Sequence, residues 1–222
     1  MATKETKTIE VQPINVKTVE ITIKGDSDLI LNKMTDTAAQ EIIKDQTGEN
    51  DKSVKKKKDP INKWQRLVEG MHWMDGPEVD FTEEGWRNAL EHNRVGYDAS
   101  GIKKGICEAV VRVLGKSKST VENANIQIVP EKKNLVPIKF DDIAIDESII
   151  PGFKGTFLAY RNVLSGWEST FKVKYIADNI TINQLIEMFQ YMGFAGGLGA
   201  HRVGLKGGTN GQFHVEKVVE VS

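Results

Sequence analysis

The residues with the clearest chemical potential lie in a glycine-rich segment near the end of the sequence. Residues 193–211 read GFAGGLGAHRVGLKGGTNG, and eight of these nineteen residues are glycine. No acidic residue occurs between Glu187 and Glu216, whereas the segment contains Arg202 and Lys206. Concavities lined by backbone N–H groups bind phosphate, and Arg and Lys side chains strengthen the attraction of a polyanion backbone. The segment therefore indicates a phosphate-binding surface, although a long turn with positive φ angles at several glycines explains its composition equally well.

Two further groups of basic residues are candidates for the same surface. Lys172 and Lys174 share one face of a predicted strand, and Arg161 follows Tyr160 on the strand before it. A sheet face with basic residues and an occasional aromatic is typical of platforms on which single nucleic-acid strands lie. An ordinary solvated sheet face is the simpler alternative. The run Lys55–Lys58 can also contact phosphates, or it belongs to a solvated loop.

Other chemistries have weaker support in the sequence. The glycines include G-x-x-G-G-x-G, but a dinucleotide-binding fingerprint needs a strand before it and a helix after it, the reverse of the order predicted here. There is no G-K-S/T for a P-loop and no G-x-S-x-G for a nucleophile. The four histidines form no spaced pair and Cys107 is the single cysteine, so there is no zinc pattern. We expect no metal and no other cofactor, and we interpret Cys107 as a structural thiol.

The elements that must position these residues begin with a strand and several helices. Residues 18–24 alternate apolar and polar side chains and predict a half-buried strand, and residues 35–44 predict a helix with a Thr or Asp cap. Residues 45–60 are highly charged and predict a mobile loop. Two more helices are predicted at 61–70 and 81–93.

The middle of the chain predicts one long helix followed by strands. Residues 98–114 predict a helix that Gly115 ends. Its apolar stripe consists of Ile102, Ile106, Ala109, Val110 and Val113. The predicted strands are 125–130, 135–146, 156–163 and 167–176.

The last helix has strong local signals. Thr181 is its predicted N-cap, Gln184 completes a capping box, and Gly193 is expected at the C′ position. A closing strand is predicted at 212–221. This order indicates an α+β fold, and specifically a ferredoxin-like or RRM-like antiparallel sheet with helices on one face. We expect a single domain over residues 1–222 with an insertion at 45–95.

The bulk composition excludes several classes of protein. The sequence has 222 residues and a formal net charge of −1, so a generally basic nucleic-acid binder is excluded and any electrostatic attraction must be local. One cysteine and no apolar N-terminal run fit a bacterial cytoplasm without a signal peptide. No stretch is apolar enough for a membrane span, so we expect no membrane partner.

Four stretches resemble a family of tailed-phage and prophage proteins. These stretches are VEITIKGDSDLILNKM, YDASGIKKGICEAV, GWESTFKVKYIADNITINQLIEM and FQYMGFAGGLGAHRVGLKGGTNGQFHVEKV. The resemblance covers most of the chain outside residues 45–95 and implies a phage origin. In that family Arg is often followed by Pro, whereas here Val203 follows Arg202.

More distantly, the layout is similar to the RAMP superfamily of CRISPR-associated RNA-binding proteins, which have a C-terminal glycine-rich loop. The resemblance implies a nucleic-acid-binding loop at Gly196, Gly197, Gly199, Arg202, Gly204, Gly207, Gly208 and Gly211. With it we group His201, Lys206, Arg161, Lys172, Lys174, Lys55, Lys56, Lys57 and Lys58 as candidate contacts.

Three functions are compatible with these residues. The first is a phage-encoded, non-enzymatic protein that binds single-stranded nucleic acid and forms a homo-oligomer along the strand. The second is a metal-independent ribonuclease with His201 or His72 as general base. The third is a counter-defence or assembly protein, for which the Trp- and Met-rich segment 61–95 serves as a protein interface unless it is a small satellite core.

Overall fold

The computed structural model describes most of the chain. Its described residues are 12–48, 60–115, 117, 119, 125–152 and 155–221. The predicted contacts Lys55–Lys58 lie outside them.

In chain order the strands are β1 (Val16–Gly25), β2 (Leu29–Leu31), β3 (Val95–Asp98), β4 (Gln127–Val129), β5 (Leu135–Ile138), β6 (Asp142–Gly152), β7 (Gly155–Ser165), β8 (Glu168–Ile176) and β9 (Phe213–Val221). The helices are α1 (Asp36–Thr47), α2 (Lys63–Glu69), α3 (Glu83–His92), α4 (Ala99–Leu114) and α5 (Ile182–Tyr191), followed by a π-helical turn (Met192–Gly196).

A four-stranded antiparallel sheet in the order β9-β1-β8-β4 forms the centre of the fold. Numbered by their place in a βαββαβ unit, these strands have the order 4-1-3-2, with α4 and α5 as the two helices. The alternation in β1 and β8 explains which face is covered: Val19, Ile21, Phe171 and Val173 point into the core. The predicted ferredoxin-like α+β fold is confirmed.

Helix α4 packs its apolar stripe on the inner face of this sheet. Asp98 caps its first turn by accepting from the N–H groups of Ser100 and Gly101, and Gly115 ends it in the left-handed conformation at φ 60°. Four of the five predicted stripe residues are buried, but Val113, in the last turn, is 40% exposed. The core therefore covers the stripe only as far as the penultimate turn.

Helix α5 begins as predicted and ends differently. The Thr181–Gln184 capping box is present in both directions. The expected C′ residue, Gly193, is instead part of the π-helical turn. A Cβ atom at Gly193 would lie 1.9 Å from the carbonyl oxygen of Phe213, so this glycine permits a close approach of β9 and does not end the helix.

A second sheet has the order β2-β7-β6, in which β6 and β7 form a long hairpin. The strand predicted at 135–146 is two strands: β5 pairs with β3 in a third sheet, and β6 begins at Asp142. Lys139 lies where the chain passes from β5 to β6, and it forms an ion pair with Glu168 at the start of β8.

The insertion that contains α2 and α3 has a small core of its own. Leu67, Val68 and Trp86 are buried together, and Trp64 packs against them with its ring centroid 5.7 Å from that of Trp86. Buried Asn162 of β7 joins this core to the second sheet, because its side chain accepts from Trp86 Nε1 and donates to the Leu67 carbonyl. Of the two interpretations of this segment, the structure favours the satellite core.

Candidate nucleic-acid interface

The glycine loop, residues 197–212, uses most of its described backbone N–H groups inside the protein. Gly199 N–H donates to the hydroxyl of Tyr97 at 2.9 Å, and Ala200 N–H donates to the Ile30 carbonyl at 2.8 Å. Further internal donors are the N–H groups of Gly197, Leu198, Val203, Gly204, Leu205, Gly208, Thr209, Asn210, Gly211 and Gln212. The prediction that the loop exposes its backbone N–H groups to solvent is therefore wrong for most of the loop.

Close packing explains several of these glycines. A Cβ atom would lie 1.9 Å from the Arg202 carbonyl oxygen at Gly208 and 1.9 Å from the Leu198 carbonyl oxygen at Gly211. Gly207 is different: its φ is 77°, it is exposed, and no atom lies within 4 Å of its Cβ position. Of the two explanations for the composition, tight turns with close backbone contacts account for most positions.

On one side the loop lies against α4. Arg202 Nη2 is 3.2 Å from Glu108 Oε2, and Arg112 Nη1 donates to the Gly204 carbonyl oxygen. Lys104 lies one turn before Glu108 on the same helical stripe and is exposed, as is Lys206 in the loop. We call Lys104, Arg112, Arg202 and Lys206 the loop–helix ridge, in which two cations come from α4 and two from the loop and Arg202 pairs with Glu108.

On its other side the loop is attached to β7 through Arg161. The side chain of Arg161 is 6% exposed, and its Nη1 donates to Asp146 Oδ2 and to His201 Nε2, both at 2.8 Å. His201 has a φ of 51° and its carbonyl accepts from two loop N–H groups. Arg161 was predicted as a surface contact for nucleic acid, but the structure buries it as an anchor of the loop.

Lys172 and Lys174 lie on the uncovered face of the central sheet, away from the helices. In the register of the sheet they are opposite Glu20 and Thr18, and both are exposed without an ion-pair partner among the described residues. The aromatic residues of the same strand, such as Phe171, point into the core. The predicted nucleic-acid contacts therefore lie on two opposite faces of the central sheet. A nucleic-acid strand that touches both faces must pass around an edge of the domain.

The sequence did not indicate the α4 residues of the ridge or the role of Tyr97. Lys104 lies four residues before Glu108 and Arg112 four residues after it, so the three share one stripe of α4. This spacing indicates a binding surface only once the loop is known to lie beside that stripe. Burial raises the pKa of Tyr97, against smaller opposite effects of the Gly199 N–H and Arg202. Tyr97 therefore stays protonated while its oxygen accepts from the loop.

The other two histidines near these elements have different surroundings. Burial lowers the pKa of His72, whose ring centroid is 6.0 Å from that of Tyr97. His214 is half-exposed at the start of β9 and lies between two carboxylates, with Nδ1 2.7 Å from Asp26 and Nε2 3.0 Å from Glu216. Its hydrogen bonds to Glu216 and Asp26 raise the pKa of His214.

Across the described residues, no group of three or more His, Cys, Asp and Glu side chains is placed to hold a metal ion. Within the same part of the chain, no helix is both long and apolar enough to cross a membrane.

Comparison with known proteins finds a distant likeness among solved structures. No protein-family model matches the sequence, and no curated protein matches it. Among solved structures, a chain of the "Cryo-EM structure of the Type III-B Cmr-beta bound to cognate target RNA" is similar with a TM-score of 0.48 at 12% identity. The likeness covers 93% of this chain and 61% of that chain, so this chain spans less than two thirds of its neighbour's length. A likeness of this size carries no argument about ligands.

Proposed function

We propose that this chain is a non-enzymatic protein that binds single-stranded nucleic acid through the loop–helix ridge and forms homo-oligomers along the strand. The resemblance of its sequence to tailed-phage proteins is the basis for including a phage or prophage origin in the proposal. Homo-oligomerisation rests on the RAMP resemblance.

The observation that carries the proposal is the charge of the loop–helix ridge. Lys104 and Lys206 are exposed and make no ion pair within the described part of the chain, while Glu108 is partly neutralised by Arg202. In a chain with net charge −1, such a local excess of cations is an electrostatic footprint for a polyanion. Exposed Gly207 next to Lys206 also allows a phosphate to approach the backbone.

The surroundings of His201 support the proposal of binding without cleavage. Arginine has no acceptor atom, so Arg161 must be the donor to Nε2 of the imidazole. That nitrogen is then not available to take a proton from a ribose hydroxyl. Labelled RNA incubated with the protein in EDTA should stay intact. Cleavage that disappears in His201→Ala would overturn the non-enzymatic part of the proposal.

Fluorescence anisotropy with labelled single-stranded DNA, single-stranded RNA and duplex over a salt series tests binding. We expect both single strands to bind at low salt, with an affinity that falls linearly on a log–log plot. The absence of binding to either strand at low salt would refute the proposal.

Matched double variants identify the surface. Lys104→Gln with Lys206→Gln removes two charges from the ridge, and Lys172→Gln with Lys174→Gln removes two from the sheet face. We expect the ridge variant alone to bind more weakly, with a salt slope reduced by about 1.4, at about 0.7 for each phosphate contact. Arg202 is not chosen because its removal would also leave Glu108 without its ion-pair partner and loosen the loop from α4. A slope that changes only in the Lys172 and Lys174 variant would assign binding to the sheet face.

A further inference from the structure

Phe194 is a large aromatic side chain that the fold leaves in solvent. It is 75% exposed, more than any other aromatic side chain in the described residues, of which Phe81 follows at 42%. The π-helical turn explains this position. Its neighbour Met192 is fully buried with its side chain against Gly105, and Gly193 lies against the Phe213 carbonyl, so the turn is held by the residues before Phe194. Single-turn π-helical insertions are frequent at functional sites.

The turn also places Phe194 beside the loop–helix ridge. The carbonyl of Gly196 accepts from Gly204 N–H at 2.9 Å, and the carbonyl of Gly204 accepts from Arg112. The loop segment around Gly204 therefore contacts both the π-helical turn and α4, and the turn itself packs on α4 at Gly105. Phe194 lies two residues before Gly196, so its backbone is next to the loop segment that Arg112 contacts. Gln212 fixes the turn further, since its Nε2 donates to the Phe194 carbonyl at 3.2 Å.

Exposed aromatic rings next to a positively charged groove are the usual means of holding unpaired bases. The uncovered face of the central sheet does not offer this combination among its described residues, because the aromatic side chains of β8 point into the core. The ridge therefore offers cations for the phosphates, and Phe194 offers an exposed ring for a base two residues from the loop contact at Gly196.

We propose that Phe194 stacks on an unpaired base of the strand held by the loop–helix ridge, so that the ligand is a single strand with accessible bases. This inference rests on the proposed function. A duplex, whose bases are already stacked, gains nothing from Phe194. The bases of DNA and RNA both have the π-face that stacking needs, so the contact is common to the two.

The test compares strands that differ only in their bases. Anisotropy is measured with oligothymidine, oligouridine and an abasic deoxyribose-phosphate strand of the same length, for wild type and for Phe194→Ala. We expect Phe194→Ala to weaken binding of the two base-bearing strands roughly tenfold and to leave binding of the abasic strand within about twofold. Equal loss on all three strands, or no loss on any, would overturn the inference.

Two controls keep the outcomes separate. Phe81→Ala removes another exposed phenylalanine, one that precedes the acidic start of α3, and should bind all strands like wild type. Phe194→Trp should restore binding of base-bearing strands. If wild type binds no strand at low salt, the proposed function fails; if it binds and Phe194→Ala has no effect, this inference alone fails. A change of oligomer mass in Phe194→Ala on light scattering, with unchanged affinity, also overturns it.

Discussion

Replacing Gly211 with alanine should destabilise the protein much more than the same change at Gly207, four residues away in sequence. Both glycines have left-handed φ angles, 72° and 77°, so both variants carry the conformational penalty of about 1–2 kcal/mol for an L residue. They differ in their surroundings. The Cβ position of Gly211 is 1.9 Å from the Leu198 carbonyl oxygen, whereas that of Gly207 has no neighbour within 4 Å.

The atom that a methyl group at Gly211 meets belongs to the backbone and cannot rotate away. Relief requires a shift of Leu198 or of Gly211 itself. That shift weakens the bond from Leu198 N–H to the Gly211 carbonyl at 2.9 Å, the bond from Gly211 N–H to the Asp28 carbonyl at 2.8 Å, or both. At about 1 kcal/mol net for each bond that is lost, the total loss is about 2–4 kcal/mol for Gly211→Ala, against about 1–2 kcal/mol for Gly207→Ala.

Urea unfolding followed by circular dichroism measures both variants. The slope m of each should equal that of wild type, so that the shift in midpoint reports stability alone. If the two variants lose the same stability within about 0.5 kcal/mol, the close contact of Gly211 with Leu198 is absent in solution and the packing role assigned to the loop glycines is refuted.

Three further predictions concern the residues around the loop. Arg161→Met should cost about 3 kcal/mol in urea unfolding because it leaves Asp146 without its buried partner; wild-type stability would contradict the anchoring role. An NMR titration should give His214 a pKa above 6.5, and its ion pairs with Asp26 and Glu216 should add at most about 1 kcal/mol because they are exposed. A group whose pKa is raised in the folded state stabilises the fold at pH values below its unfolded pKa. The stability difference between wild type and His214→Gln should therefore be present below pH 6.5 and disappear as pH rises through the folded pKa. A difference independent of pH would refute this. Thr181→Ala should lose about 1 kcal/mol of stability through the capping box, and no loss on thermal unfolding would contradict that cap.

Local patterns were sufficient to predict the central fold. The alternation in residues 18–24 and 167–176 predicts strands with the correct inner faces, and the signals at Thr181 predict the start of α5. The end of α5 was not predictable in this way. A glycine after an apolar stripe has the same local signature at a C′ position and in a π-helical turn, and only the approach of Phe213 decides between them.

The site was harder to predict because its charges are paired across long distances in sequence. The segment between Glu187 and Glu216 has no acidic residue, yet the fold brings Glu108 to Arg202 and Asp146 to Arg161, two of the cations assigned to phosphate.

The same folding explains where the remaining charge is. Lys206 is near the Gly207 turn, which no other element covers, and Lys104 is on the outer stripe of α4. Glu108 of α4 is already paired with Arg202, and Asp146 of β6 is paired with Arg161. These two arginines hold the loop in place while the lysines face solvent, as the proposed polyanion surface requires.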